Sequence, residues 1–145
     1  MDKSAKDWLL LATSDLVYFP EYNRFMAAYI ALNHLYGYKR GDERKQMVNY
    51  LSSHCNGINP FELDVSEYLS SPIQDMRPGE NNSIVVTPGD RDSLFNAIYQ
   101  VRCNLFHGDK LLGSDRDKRL AQQGADVIIK ILSQMLDTQE ENERN

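Results

Sequence analysis

Apolar residues recur at steps of three and four along most of this chain, which is the spacing of helices with one buried face. The segment over residues 21–38 is apolar around most of its circumference, so we expect it at the centre of the fold. Helices are predicted over about 4–16, 21–38, 42–53, 61–69 and 90–107, and from Ser114 onwards. The pattern predicts an all-α helical bundle of five to six helices.

One long segment interrupts the helical pattern. Residues 71–89 contain three prolines and two glycines, which predicts a long irregular loop with an extended piece at 84–86. The chain shows no linker and no internal repeat, so we expect a single domain over residues 1–137. Residues 138–145 lack an apolar face and are predicted to form a flexible acidic tail.

The composition excludes several classes of protein. The 145 residues are 41% hydrophobic without a biased tract, which argues against disorder, and no apolar run reaches the ~20 residues of a membrane span. Two cysteines are too few for a disulfide scaffold, and the first residues lack a signal-peptide pattern. We therefore expect a cytoplasmic protein without membrane contact.

Charge is distributed unevenly along this acidic chain. The formal net charge of −5 argues against a protein coated in basic residues for binding long nucleic acids. Residues 91–119, however, hold 6 basic and 4 acidic side chains, an excess of +2, whereas the segments on both sides are net acidic. The only basic stretch is also the one that carries the candidate chemistry.

Common cofactor and metal motifs are absent from the sequence. It contains no glycine-rich dinucleotide motif, no P-loop, no C-x-x-C pair and no H-E-x-x-H helix. The spacings of its histidines and cysteines fit no zinc framework. The sequence therefore predicts neither a cofactor nor a metal site.

The strongest candidate constellation is the run IYQVRCNLFHGD at residues 98–109. Arg102 and His107 are five residues apart, so on an ideal helix they diverge by roughly 140°. If the helix ends at His107, its ring can turn back toward the face that carries Arg102 and Asn104, and a helix C-terminus favours an imidazolium. Two structural alternatives stay open: His107 as a helix cap, and Arg102 as the partner of an acidic residue on another helix.

This run resembles the R-x4-6-H signature of HEPN domains, because Arg102 and His107 stand in a helix that precedes a longer terminal helix. The segment RFMAAYIALNHLYG at residues 24–37 is similar to the corresponding helix of some HEPN branches, and the resemblance covers roughly residues 5–135. It implies an all-α bundle that forms a homodimer, in which two copies of the signature face one cleft. Many HEPN domains are metal-independent endoribonucleases of toxin–antitoxin or phage-defence systems.

The resemblance also implies a role for each candidate residue. Arg102 would hold the scissile phosphate, His107 would take the proton from the ribose 2′-OH or give one to the leaving oxygen, and Asn104 would orient the phosphate or the imidazole. RNA would be the substrate, because the neighbouring 2′-OH is the nucleophile. The products would carry a 2′,3′-cyclic phosphate and a 5′-hydroxyl. A cognate antitoxin or partner protein is expected as well.

The chain departs from the family pattern at two positions and in the loop over residues 71–89, which is longer than the family's minimum. Cys103 follows the arginine where many members have a polar residue, and Asp109 stands where one toxin branch has a modified tyrosine. Asn33 interrupts an apolar helix, either as a buried amide held by a neighbouring helix or as an auxiliary polar group at the Arg102 cleft. Two rival functions follow: a HEPN-like module that binds RNA, nucleotide or protein without cutting, and a plain helical dimerisation domain.

Overall fold

The computed structural model describes residues 5–6, 9, 13, 20–77, 79–107 and 114–144, without the side chains of Phe106 and His107. Within these ranges the chain forms five α-helices, one 3-10 turn and one small sheet. The helices are α1 (Pro20–Tyr36), α2 (Glu43–His54), α3 (Ser66–Ser70), α4 (Arg91–His107) and α5 (Asp115–Arg144). The predicted all-α class is confirmed.

Local side-chain hydrogen bonds explain where three of the helices begin. Asp42, Asp90 and Ser114 each accept a hydrogen bond from the backbone N–H three residues further on, at 3.1, 3.3 and 3.4 Å. Each contact satisfies one of the N–H groups that a helix start leaves without a partner. The predicted starts of α2, α4 and α5 are confirmed, and α4 ends at His107 as predicted.

The core lies between two pairs of helices. The central helix α1 packs along α5, and α2 packs along α4. Phe25 and Leu32 of α1 and Ile128 and Ile131 of α5 are fully buried, which confirms that the helix predicted over 21–38 is central. Among the described helices, none combines the length and apolar character that crossing a membrane requires.

The segment after α2 departs from the predicted single helix over 61–69. A 3-10 turn at Pro60–Glu62 comes first, and α3 starts separately at Ser66. The carboxylate of Asp64 accepts a hydrogen bond from the backbone N–H of Ser66 at 3.1 Å. This local bond competes with a continuous helix, as Asp side chains commonly do.

The long segment over residues 71–89 is partly ordered as a hairpin. Strand β1 (Ile73–Gln74) pairs antiparallel with β2 (Ser83–Ile84), with Ile73 opposite Ile84. Ile73 is buried, and both strands pack on α4. The hairpin therefore places residues 75–77 beside the helix that carries Arg102.

Few residues are described at the N-terminal end of the chain, whereas the C-terminal helix is described up to Arg144. The predicted first helix over 4–16 lies mostly outside the described residues, although the backbone N–H of Thr13 donates to the carbonyl of Leu9 as in a helix. The sequence predicts a flexible tail from residue 138, but α5 continues to Arg144. Glu, Gln and Arg are good helix formers, and Glu140 forms an ion pair with Lys6 at 3.8 Å. These contributions extend the helix without an apolar face.

Candidate functional site

A cavity of about 600 Å³ lies between α2, α4 and the β1–β2 hairpin. Three arginines and two carboxylates contribute to its walls, which gives a formal charge of +1. The lining residues are Glu43, Arg44, Asp75, Arg77, Tyr99, Gln100, Arg102 and Cys103. Arg102, which the sequence predicts as a site residue, thus opens onto a cavity that can accept an anion.

Arg102 reaches this cavity from the middle of α4 and is about one-fifth exposed. Its guanidinium carbon lies 5.2 Å from the centre of the Tyr29 ring and 5.6 Å from that of Tyr99. Its Nη2 is 4.0 Å from Oε2 of Glu43. Aromatic faces and a nearby carboxylate offset the cost of taking a guanidinium partly out of water. The contact to Glu43 is too long for a direct hydrogen bond.

Glu43 is the acceptor of a cluster of tyrosine hydroxyls. The hydroxyls of Tyr36 and Tyr29 lie 2.8 and 3.3 Å from Oε1, and Tyr99 donates to Oε2 at 3.3 Å. The Tyr29 and Tyr36 hydroxyls are 2.7 Å apart, so one of them donates to the other, which donates to Glu43. Burial, reinforced by Glu43, raises the pKa of all three tyrosines, so they remain protonated donors. The carboxylate is therefore held in place on the side of Arg102 that faces α1 and α2.

The charge of Arg102 is permanent in this setting. Burial opposes the charged form, but Tyr29, Cys103 and Glu43 outweigh it and raise the pKa of the guanidinium. The Cys103 sulfur is the acceptor of a weak contact from Nη1 at 3.9 Å. The arrangement can hold a phosphate oxygen electrostatically at any physiological pH.

The other two arginines of the cavity are held differently. Arg77 forms a two-point pair with Asp75, through contacts of 3.1 Å to Oδ1 and 2.6 Å to Oδ2. This pair lowers the pKa of Asp75, so its carboxylate stays ionised. Arg44 donates instead to the neutral Oε1 of Gln100 at 2.9 Å and lies 5.0 Å from the centre of the Tyr99 ring.

Asn104, the second predicted site residue, lies in the packed interface between α4 and the hairpin and is 5% exposed. Its Nδ2 donates to the carbonyl of Gln74 at 2.8 Å. Its Oδ1 accepts from the backbone N–H of Met76 and from Nε2 of Gln100, both at 3.0 Å. Asn104 is not among the residues that line the cavity with Arg102. In the structure it fixes the hairpin, and the catalytic role stays a prediction.

We expect Asn104→Ala to destabilise the fold by about 2–3 kcal/mol, because it leaves buried backbone and amide groups without partners. Urea unfolding of the variant and the wild type measures this difference. Asn82→Ala is a suitable control, since Asn82 lies in the same hairpin loop and is exposed. Equal stabilities of the Asn104 variant and the wild type would contradict the structural role.

Asn33, the predicted auxiliary residue, shares a face of α1 with Tyr29 and Tyr36 at helical spacing. It is half-buried, and its Oδ1 is buried without a hydrogen-bond partner among the described residues. It does not line the cavity itself. The structure therefore brings Asn33 to the helix face that carries two of the Glu43 tyrosines, and its auxiliary role stays a prediction.

His107 is the last residue of α4, and its side chain lies outside the described residues. Its backbone position is one and a half turns beyond Arg102, toward the C-terminal end of the helix. The predicted convergence of the imidazole with the guanidinium stays a prediction.

Sequence reasoning missed most of the cavity. The missed residues Glu43, Arg44, Asp75 and Arg77 lie 25 to 59 positions before Arg102 in the chain. The first two belong to a helix predicted to be polar on its outer side, and the other two to the predicted irregular loop. The spacing of Tyr29 and Tyr36 could have indicated a nearby polar group, since two hydroxyls on one face of a buried helix need hydrogen-bond partners.

No group of three or more potential metal ligands occurs in the part of the chain that the structure describes. Comparisons of the chain with protein-family models, with curated proteins and with solved structures found no match. The chemistry of the cavity therefore carries the functional argument.

Proposed function

We propose that this protein is a metal-independent endoribonuclease of HEPN type, which cleaves RNA by attack of a ribose 2′-OH on the neighbouring phosphate. The observation that supports it most is the position of Arg102. Its guanidinium is a permanent cation that lines a 600 Å³ cavity instead of being closed into the core. Pockets of roughly 300–1,000 Å³ are typical of small-ligand sites, and this one is net positive.

The proposed chemistry assigns one task to each of two side chains. Arg102 binds a non-bridging oxygen of the scissile phosphate and stabilises the charge that develops on it during attack. His107 takes the proton from the 2′-OH or delivers one to the 5′-oxygen that leaves. The C-terminal end of α4 favours the imidazolium that results from proton uptake. The leaving strand carries a 5′-hydroxyl, and the other product carries a 2′,3′-cyclic phosphate.

The proposal includes an assembly and a setting. A homodimer would bring a second Arg102 and a second His107 to the same cleft, so that one copy supplies the acid while the other supplies the base. A toxin or phage-defence component with a cognate antitoxin or partner protein, acting in the cytoplasm, fits this chemistry. The support for both is the resemblance of residues 98–109 to the HEPN signature.

The direct test is incubation of the purified protein with a single-stranded RNA in excess EDTA. We expect cleavage of the RNA, no cleavage of DNA of the same sequence, and a 2′,3′-cyclic phosphate on the product, detected by mass spectrometry. The DNA strand is the matched control, because it differs in the 2′-OH that the mechanism requires. An RNA that stays intact, or a DNA that is cut equally, contradicts the proposal.

A second candidate function is an RNA- or nucleotide-binding module that does not cut. The observation in its favour is that Asn104 is fully engaged by the hairpin and that Arg102 is paired with Glu43. The same RNA distinguishes the two functions: saturable binding in a fluorescence-anisotropy titration without cleavage supports the binding module.

A further inference from the structure

Arg44 forms no ion pair within the part of the chain that the structure describes, unlike the other two arginines of the cavity. Arg102 faces Glu43, and Arg77 is paired with Asp75. Among the residues that the structure describes, no carboxylate oxygen lies within 4.0 Å of the Arg44 guanidinium. The direct contacts of Arg44 are to neutral groups, whereas the Asp75 carboxylate interacts with it through space. A half-buried guanidinium without a carboxylate in direct contact attracts an anion.

The orientation of Arg44 is nevertheless fixed. Its Nη2 donates to Gln100, which is 3% exposed, and Gln100 donates in turn to Asn104. Asn104 is bonded to the backbone of the hairpin at Gln74 and Met76. This chain of hydrogen bonds connects the guanidinium to two rigid elements. A side chain held in this way loses little entropy when it binds a ligand.

Arg44 and Arg102 line the same cavity. The two guanidinium groups lie against the same Tyr99 ring, at 5.0 and 5.6 Å from its centre. The two guanidinium carbons are therefore at most about 11 Å apart, in one continuous cavity. Two cations within this separation can contact successive phosphates of one polynucleotide strand, whereas a single isolated anion can contact both only if it is large enough.

We propose that Arg44 binds the phosphate next to the scissile one, so that the protein binds an RNA strand with at least two consecutive phosphates more tightly than a shorter one. This inference rests on the proposed ribonuclease function and adds to it the substrate length and a binding residue. Arg44 contributes to the affinity for the strand, whereas Arg102 acts on the reacting phosphate.

The test is the kinetics of cleavage of a ten-nucleotide RNA by Arg44→Gln, measured between 50 and 300 mM salt. We expect KM to rise about tenfold or more and kcat to change little, because the lost contact is made equally in the ground state and the transition state. The slope of log(1/KM) against log[salt] should fall by about 0.7, the value for one phosphate contact on a single strand. Arg44→Lys, which keeps the charge, should restore the slope.

Lys45→Gln is the matched control, since Lys45 is the next residue of α2, is exposed and does not line the cavity. It removes the same charge and should leave KM and the salt slope close to those of the wild type. Urea unfolding shows whether Arg44→Gln is folded. If Arg44→Gln does not fold, the KM and salt slope of Arg44→Lys test whether the positive charge at this position is sufficient for binding.

The inference is overturned if Arg44→Gln changes the salt slope no more than Lys45→Gln does, or if it lowers kcat with KM unchanged. It is also overturned if Arg44→Lys behaves like Arg44→Gln. A wild-type protein that does not cleave the RNA refutes the proposed function together with this inference, whereas cleavage that is insensitive to Arg44 refutes the inference alone.

Discussion

Replacing Arg102 by alanine is expected to lower kcat/KM for RNA cleavage by about 10²–10³-fold. This is the usual effect of removing one group that stabilises charge in a transition state. In the cavity, the guanidinium of Arg102 is positioned by contacts with two tyrosine rings and with Glu43. His107→Ala should lower the rate by a similar factor, about 10²–10⁴-fold, because proton transfer at the 2′-OH is lost.

Arg102→Lys separates the charge of Arg102 from its shape. Lysine keeps the cation but loses the planar fork that can contact two phosphate oxygens and lie on Tyr29 and Tyr99. We therefore expect a rate between those of the wild type and Arg102→Ala. A shifted pH–rate profile in His107→Ala but not in Arg102→Lys would assign the proton transfer to the histidine.

The control for these variants is Arg40→Ala, because Arg40 is exposed and does not line the cavity. It should cleave RNA at the wild-type rate. Arg102→Ala should stay folded, since Glu43 keeps its tyrosine hydroxyl donors and is itself about one-fifth exposed. If either Arg102→Ala or His107→Ala cleaves RNA at the wild-type rate, the site is assigned wrongly.

A large effect on stability is also expected from Gly124→Ala in α5, which should destabilise the fold by about 2 kcal/mol. Alanine favours a helix interior over glycine by about 1 kcal/mol, so the local helix preference predicts the opposite sign. A Cβ at this position would lie 2.5 Å from the hydroxyl of Tyr68 and 3.0 Å from the Phe25 ring. Tyr68 is buried and donates to the Leu120 carbonyl at 2.7 Å, so neither group can move without losing packing or a hydrogen bond.

Urea unfolding measures this effect, and the double variant Gly124→Ala/Tyr68→Phe identifies its cause. Tyr68→Phe alone should destabilise, because the Leu120 carbonyl loses its buried donor. In the double variant the added methyl no longer meets the hydroxyl, so the combined cost should be smaller than the two single costs together. Additive costs, or a stabilising Gly124→Ala, would contradict the close approach of α5 to Tyr68.

The helices could be predicted because their signals are local. Asp42 and Asp90 cap their own helices. The apolar circumference of α1 indicates a central helix, and the periodic apolar residues of α4 show which face is buried. The break at Asp64 and the extension of α5 to Arg144 were not predicted, since a competing hydrogen bond and good helix formers act without changing the apolar pattern. Periodicity reports burial and not whether a polar segment stays helical.

The cavity could not be predicted from the sequence, because its walls come from segments that only the tertiary structure brings together. Arg102 could be singled out from its neighbours in sequence, but nothing near it indicates that Glu43 and three tyrosines surround it. Asn104 stands two residues from Arg102 and lies in a different environment, because residues two apart on a helix point to opposite sides. Proximity in sequence therefore grouped two residues that the structure separates.

The amino-acid sequence by itself determined the all-α class, the extents of α1, α2 and α4 to within two residues, and the choice of Arg102 as a candidate. These follow from interactions over one or two helical turns, which a pattern of residue types records directly. Only the tertiary structure decided that Arg44, Arg77 and Arg102 share one cavity and that Gly124 must stay without a side chain. Those contacts join residues that are distant along the chain, and their geometry depends on how the helices pack, which residue type alone does not specify.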